Sequence, residues 1–239
     1  MQALILAGGK GTRLQPYTTV LPKPLMPVAQ YPILEIIVRQ LKQAGVDEII
    51  LAVGYLSHLI EAFFQDGSRF GVKIRYSFED SPLGTAGPIG LVLDQLEGDF
   101  LVMNGDLLTT LNYRNLYDFH RSRGAAATLG LFQREVKIDF GVIEASEDLL
   151  LKNYIEKPTY KFSVSMGVNV FNKAAIVDFV KRGQRLDVPD LMLALKAAGR
   201  PVCCYSEPCL WLDIGRVDDY QQANAVFEAS ANQFLPDLK

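Results

Sequence analysis

The first apolar run, residues 3–7 (Ala-Leu-Ile-Leu-Ala), has no polar position on either side, the pattern of a strand covered on both faces in a parallel sheet. From residue 33 the period becomes helical. Ile33, Ile36, Ile37, Leu41 and Ala44 share one side, Arg39, Lys42 and Gln43 the other, and Gly45 closes the run. A strand over 47–53, a helix over 56–64 and an alternating strand over 72–78 follow. This β-α-β-α-β order predicts a parallel sheet with helices packed on its faces. Ligands of such sheets sit beyond the carboxyl ends of the strands.

Further along, the loop 79–87 leads into a helix ending near residue 96, then a continuous apolar strand at 100–103 and a helix at 115–123. The pattern then changes. Runs at 126–132, 140–144, 149–154 and 164–171 are strand-like with no helix between them, which predicts an antiparallel or mixed flank. A helix at 189–198, a strand at 202–205, a turn at 211–215 and a helix at 217–227 complete the pattern, and the last ten or so residues show no period.

A chain of 239 residues with 49% hydrophobic content can bury one large α/β core. Its net charge of −3 gives no long-range attraction to nucleic acid or anionic membrane, so any positive site has to be local. No apolar run reaches the length of a membrane span, and Met1-Gln2 enters a strand without a charged leader, so a cytoplasmic location is expected. Cys203, Cys204 and Cys209 lack the paired spacing of a zinc site and are expected to be buried small hydrophobes in a reducing compartment. His58 and His120 fall in helical stretches and are expected at surface or cap positions.

The chemistry concentrates where the first strand ends. Gly8, Gly9 and Gly11 let the backbone bring its N–H groups close to an anion, and Arg13 and Lys23 add fixed positive charge, so a polyanion is the natural guest. A Walker loop would need Gly-Lys-Ser/Thr in that order, whereas here Lys10 precedes Gly11-Thr12. A dinucleotide fingerprint would need a glycine where Leu14 stands. A plain glycine-rich turn remains the simplest alternative, against which Arg13, Lys23 and the flanking prolines weigh. Asp106, after Asn104-Gly105 at the end of a buried strand, is a candidate metal ligand or a turn aspartate. From the residues alone, Glu156-Lys157 is a solvated charge pair, Trp211 is core and Asp213 a helix cap.

The stretch Leu6-Ala-Gly-Gly-Lys-Gly-Thr-Arg-Leu14, followed by Pro22-Lys-Pro-Leu25, resembles the signature of the sugar-1-phosphate nucleotidylyltransferases, or nucleotide-sugar pyrophosphorylases. Residues 83–87 (Leu-Gly-Thr-Ala-Gly) are most similar to the guanine branch, which includes mannose-1-phosphate guanylyltransferases, and Trp-Leu-Asp-Ile-Gly at 211–215 is a further specific match. The resemblance implies a Rossmann-like, mainly parallel mixed sheet flanked by helices, with a small antiparallel sugar-binding flank. One domain over 1–239 would divide into a nucleotide-binding part (1–123), a sugar-phosphate-binding part with a C-terminal helix (124–228) and a tail (229–239). No hexapeptide repeats follow, so the β-helical domain of some relatives is expected to be absent.

The implied reaction is Mg²⁺-dependent transfer of a nucleoside monophosphate from a nucleoside triphosphate to a sugar 1-phosphate, releasing pyrophosphate. Leu6, Ala7, Gly8, Gly9, Gly11 and Thr12 would surround the nucleotide with Arg13 and Lys23, and Gly84 and Thr85 would close over the base. Glu79 would accept the paired N–H donors of guanine, which favours GTP over UTP and dTTP. Asp106 and Asp213 would hold Mg²⁺, while Asn104, Gly141, Glu156, Lys157 and Asn169 would hold the sugar phosphate. Ser165 stands where the family commonly has asparagine, so the sugar stays open. Two alternatives are a cytidylyltransferase acting on a non-sugar phosphate and a silent nucleotide-sugar-binding regulatory module. A metal-dependent glycosyltransferase would leave the glycine loop unexplained. By analogy the chain would form a homo-oligomer, a dimer or tetramer.

Overall fold

The computed structural model describes residues 1–236. Strand β1 (Gln2–Leu6) runs into the glycine loop and three single 3-10 turns, the last at Lys23–Leu25, before the minimal pair β2 (Pro27–Val28) and β3 (Tyr31–Pro32). Then follow α1 (Ile33–Gln43), β4 (Glu48–Val53), α2 (Ser57–Phe64), β5 (Lys73–Phe78), α3 (Gly87–Val92), β6 (Asp99–Asn104), β7 (Leu107–Thr109) and α4 (Tyr113–Arg123). The second half holds β8 (Ala127–Lys137), β9 (Val142–Ala145), β10 (Leu151–Ile155), β11 (Thr159–Asn172), α5 (Lys173–Ile176) and α6 (Val188–Ala197). Strands β12 (Val202–Tyr205) and β13 (Trp211–Asp213) and helix α7 (Val217–Phe234) end the described chain.

Seven strands form one mixed sheet in the order β12-β8-β11-β6-β1-β4-β5. Strand β1, apolar from Ala3 onward, is an interior strand parallel to both neighbours, with Leu4 beside Ile50 and Val102. Because β11 returns to the sheet directly from a ribbon, it pairs antiparallel with β6 and β8 and needs no crossover helix. Side-chain alternation splits the core in two. Ala3 and Ile5 face α1, α2, α4 and α7, whereas Leu4, Val102 and Phe171 face α3, α5 and α6.

The flank takes a form that the short runs at 126–132 and 164–171 only half showed. They are the inner ends of two long strands, β8 and β11, whose outer halves leave the sheet edge as a ribbon alongside the separate β9–β10 pair. These outer residues contribute nothing to either buried cluster, and Phe140 and Leu149 are exposed there. Hydrophobic patterning is weak where both faces meet water, which explains the shortened expectation.

Three other expectations are corrected. The stretch expected to be a tail continues α7 through Ser230, where the backbone leaves helical values, to Phe234. Phe234 is buried, its ring centroid lies 5.5 Å from that of Phe227, and its carbonyl accepts a hydrogen bond from Gln40 Nε2 at 3.1 Å. The kink shifts the helical phase, which hid the period; residues 237–239 of the expected tail lie outside the described residues. His120 is buried rather than superficial, because the last turn of α4 presses it between Asp99 and Thr128, whose Oγ1 lies 2.8 Å from its Nδ1. The cysteines are free thiols but not core: Cys204 is exposed and Cys203 half-buried because β12 is the sheet's edge strand, and Cys209, in the loop before β13, is half-buried.

Candidate active site

The glycine loop emerges at the carboxyl end of β1, where the parallel strands converge. It is fixed from below. A Cβ on Gly8 would stand 3.1 Å from Glu79 Oε1 and 3.4 Å from the Gly54 nitrogen, and one on Gly54 would stand 3.1 Å from the Gly8 carbonyl oxygen, so the β1 and β4 loops touch backbone to backbone. Gly11 holds a left-handed conformation with φ of 60°, and its carbonyl accepts from the buried Thr18 hydroxyl at 2.8 Å. The loop thereby turns its open side toward Lys23 and Asp106. A cleft of about 240 Å³ results, lined by Leu6, Ala7, Gly9, Gly11, Thr12 and Arg13 on one wall and Lys23, Pro24, Gly105 and Asp106 on the other.

Lys23 is buried, and its ammonium donates to Asp106 Oδ2. A buried charge needs such a partner. The 3-10 turn at Lys23–Leu25 and the end of β6, distant in sequence, are thus joined at the cleft. The other carboxylate oxygen, Asp106 Oδ1, is buried with no hydrogen-bond partner.

Strand β13 pairs antiparallel with β7, setting Asp213 opposite Leu107, and the Ile214 N–H donates to the Asp106 carbonyl at 3.3 Å. The two acids therefore stand at adjoining strand ends. Burial raises the Asp213 carboxyl above the usual aspartate range; the Asp106 charge pushes the same way, and Lys23 and Arg13 oppose it. Two repelling carboxylates, one with an orphaned oxygen, form a donor set suited to a hard divalent cation. Among the described residues no group of three or more His, Cys, Asp or Glu residues is arranged to bind a metal alone, so remaining ligands would come from substrate oxygens and water.

Arg13 reaches across to the β13–α7 turn, its guanidinium carbon 3.7 Å from where a Gly215 Cβ would lie. There it also lines a second cavity, of about 450 Å³, with Phe132, Arg134, Trp211, Asp213 and Arg216 among its walls. Arg134 and Arg216 were not among the residues singled out from the sequence. The available signals were an arginine directly after Trp-Leu-Asp-Ile-Gly and an arginine two positions beyond Phe132, on the same strand face.

The remaining candidates divide. Glu79 sits behind the glycine loop; its Oε2 accepts from the Leu83 N–H at 3.1 Å, and burial raises its carboxyl. Gly84 and Thr85 abut the segment before α6: the Thr85 N–H donates to Asp187 Oδ1 at 2.9 Å, and its hydroxyl accepts from the Val188 N–H at 2.8 Å. Asn104 ends β6 beside Leu6, and Asn169, buried on β11 between Val102 and Leu129, has an unpartnered Oδ1. Both share the sheet face of Val102 and Phe171. Gly141 packs on the Tyr154 ring out on the ribbon. Glu156 and Lys157 are exposed at the β10–β11 bend, 4.0 Å apart, and line neither cavity.

A family model described as "Nucleotidyl transferase" matches residues 2–230. The chain is 34% identical to a UTP–glucose-1-phosphate uridylyltransferase of Synechocystis sp., over 93% of its own length and 62% of the relative's. It is also 34% identical to a mannose-1-phosphate guanylyltransferase of Mycobacterium tuberculosis, over 94% of its length and 64% of the relative's. The chain thus spans somewhat under two thirds of these relatives. Among solved structures, one assigned as a glucose-1-phosphate thymidylyltransferase from Bacillus anthracis superimposes with a TM-score of 0.78 at 25% identity, covering 100% of this chain and 96% of the other. No helix among the described residues is long and apolar enough to cross a membrane. The loop, the paired lysine and aspartate beneath it and the match over nearly the whole chain place this protein in the nucleotidyl transferase family.

Proposed function

We propose that this chain transfers a nucleoside monophosphate from a triphosphate, with GTP preferred, to a sugar 1-phosphate, releasing pyrophosphate. The observation that carries it is the meeting of Arg13, Lys23, Asp106 and Asp213, from four separate segments, at the carboxyl end of the central strands. Two anionic reactants can share a site only where their repulsion is neutralised, which Arg13, Lys23 and a divalent cation held by the two aspartates would do.

The glycine-loop N–H groups would cradle the triphosphate. Lys23 would lie at the α-phosphate, where negative charge builds as the phosphorus becomes five-coordinate. The attacking sugar phosphate is already ionised near neutral pH, so no general base is needed. Catalysis then rests on alignment and charge stabilisation. Asp106 and Asp213 would hold Mg²⁺, which when bound lets phosphate oxygens of both reactants come together; the orphaned Asp106 Oδ1 supports that assignment. The preference for GTP rests on Glu79, behind the glycine loop at the Leu83 turn, because a carboxylate matches guanine's two adjacent N–H donors better than the single imide N–H of uracil or thymine.

Release of pyrophosphate from GTP, UTP, dTTP, ATP and CTP, each paired with mannose, glucose, glucosamine or heptose 1-phosphate in the presence of Mg²⁺, tests this directly. GTP is expected to give the fastest turnover. Activity confined to CTP with a choline or polyol phosphate would replace the sugar reading, and silence across the panel would leave a binding module.

A further inference from the structure

Two arginines near the site have no part in the reaction as drawn above. Arg134 and Arg216 line the 450 Å³ cavity that shares Arg13 with the glycine-loop cleft. None of the three guanidinium groups makes a hydrogen bond or a salt bridge with another described residue. Two acids also face this cavity. Asp219 Oδ2 is engaged by the Gly215 N–H at 3.2 Å, and Asp213 belongs to the carboxylate pair with Asp106. Three guanidinium forks whose N–H groups are all free of hydrogen-bonded partners suit a ligand with several phosphate oxygens, even with Asp213 close enough to Arg13 to feel its charge.

The sheet supplies the direction. Phe132 and Trp211, whose rings lie 5.3 Å apart in the cavity wall, pack on the core that faces α1 and α7. Asn104 and Asn169 lie on the opposite face, with Val102 and Phe171. In-line displacement at a phosphorus sets the attacking and leaving oxygens on opposite sides. A sugar phosphate arriving from the asparagine side therefore drives the leaving group toward the arginines.

We propose that Arg134 and Arg216, together with Arg13, form the receptor for the pyrophosphate end of the triphosphate. They hold its β- and γ-phosphates before reaction and the departing pyrophosphate after it. As the bond from the sugar-phosphate oxygen to the α-phosphorus forms, the bridge from that phosphorus to the β-phosphate breaks. Its electron pair stays on the pyrophosphate oxygen, the charge these guanidinium groups receive, and no proton has to move. This role rests on the transfer reaction proposed above.

The test measures binding of inorganic pyrophosphate and tripolyphosphate by calorimetry to the whole protein and to its Arg134→Ala, Arg216→Ala, doubly substituted and Arg→Lys forms. KM values for the triphosphate, for pyrophosphate in the reverse direction and for the sugar 1-phosphate are measured in parallel. Each alanine variant is expected to weaken pyrophosphate binding about tenfold, the scale of one charge-assisted hydrogen bond. KM for triphosphate and pyrophosphate should rise together, KM for the sugar 1-phosphate should stay put, and lysine should restore part of the loss. Unchanged pyrophosphate affinity in the double variant overturns the receptor, as does a loss confined to the sugar 1-phosphate. Arginine-dependent pyrophosphate binding in a protein that turns over no pair of substrates supports the receptor while removing the transfer reaction, so the two failures are distinct.

Discussion

Lys23 is a buried ammonium paired directly with Asp106 and within range of the Asp213 charge, in the wall of the cleft. If its charge serves only the five-coordinate phosphorus, Lys23→Ala should lower kcat by roughly 10² to 10³, by the scale of a lost oxyanion donor, and leave KM for the triphosphate nearly unchanged. Equal losses in both terms, measured by steady-state kinetics, would remove that assignment. The lysine and its loop were legible in the sequence because chemistry forces short-range order: glycines after an apolar strand, then cations. The Asp106–Asp213 partnership was not, since it is made by pairing β7 with β13 across about half the chain. Only the resemblance to a known signature placed both acids in one site beforehand.

At the scale of elements, the parallel strands and the early helices were readable because each buries a continuous stripe and so keeps a clean period. The long ribbon strands and the end of α7 were not, for opposite reasons: the ribbon buries too little to leave a pattern, and α7 changes phase at Ser230. Beyond that kink the helix still works as an anchor. Phe234 stacks on Phe227 and is held through its carbonyl to Gln40 of α1. Phe234→Ala should cost about 3–5 kcal/mol of unfolding free energy, the usual scale for removing a buried aromatic ring. A denaturant titration showing under a third of that would mean that the last turn of α7 is detached in solution.

Seen as a whole, the molecule has a doubly covered sheet that forms the cleft and a ribbon that contributes to neither buried cluster. Lys137 and Thr159 are direct cross-strand partners at the outer end of the β8–β11 ribbon, so an Asn-Gly turn can replace residues 138–158. That protein should melt close to the parent temperature and still bind triphosphate, while losing use of the sugar 1-phosphate if Gly141, Glu156 and Lys157 reach it. Retained sugar-phosphate turnover would release those three residues from the role that the resemblance implied. The contact between Gly8 and Gly54 bears on how the molecule can admit its substrates. With one backbone resting on the other, the bed of the cleft has little room to sink, and a methyl group at either position would push the two loops a few tenths of an ångström apart unless its neighbours gave way. Opening and closing of the cleft then falls to the opposite bank, and mobility engineered into the bed itself should lower the rate of the transfer reaction proposed above.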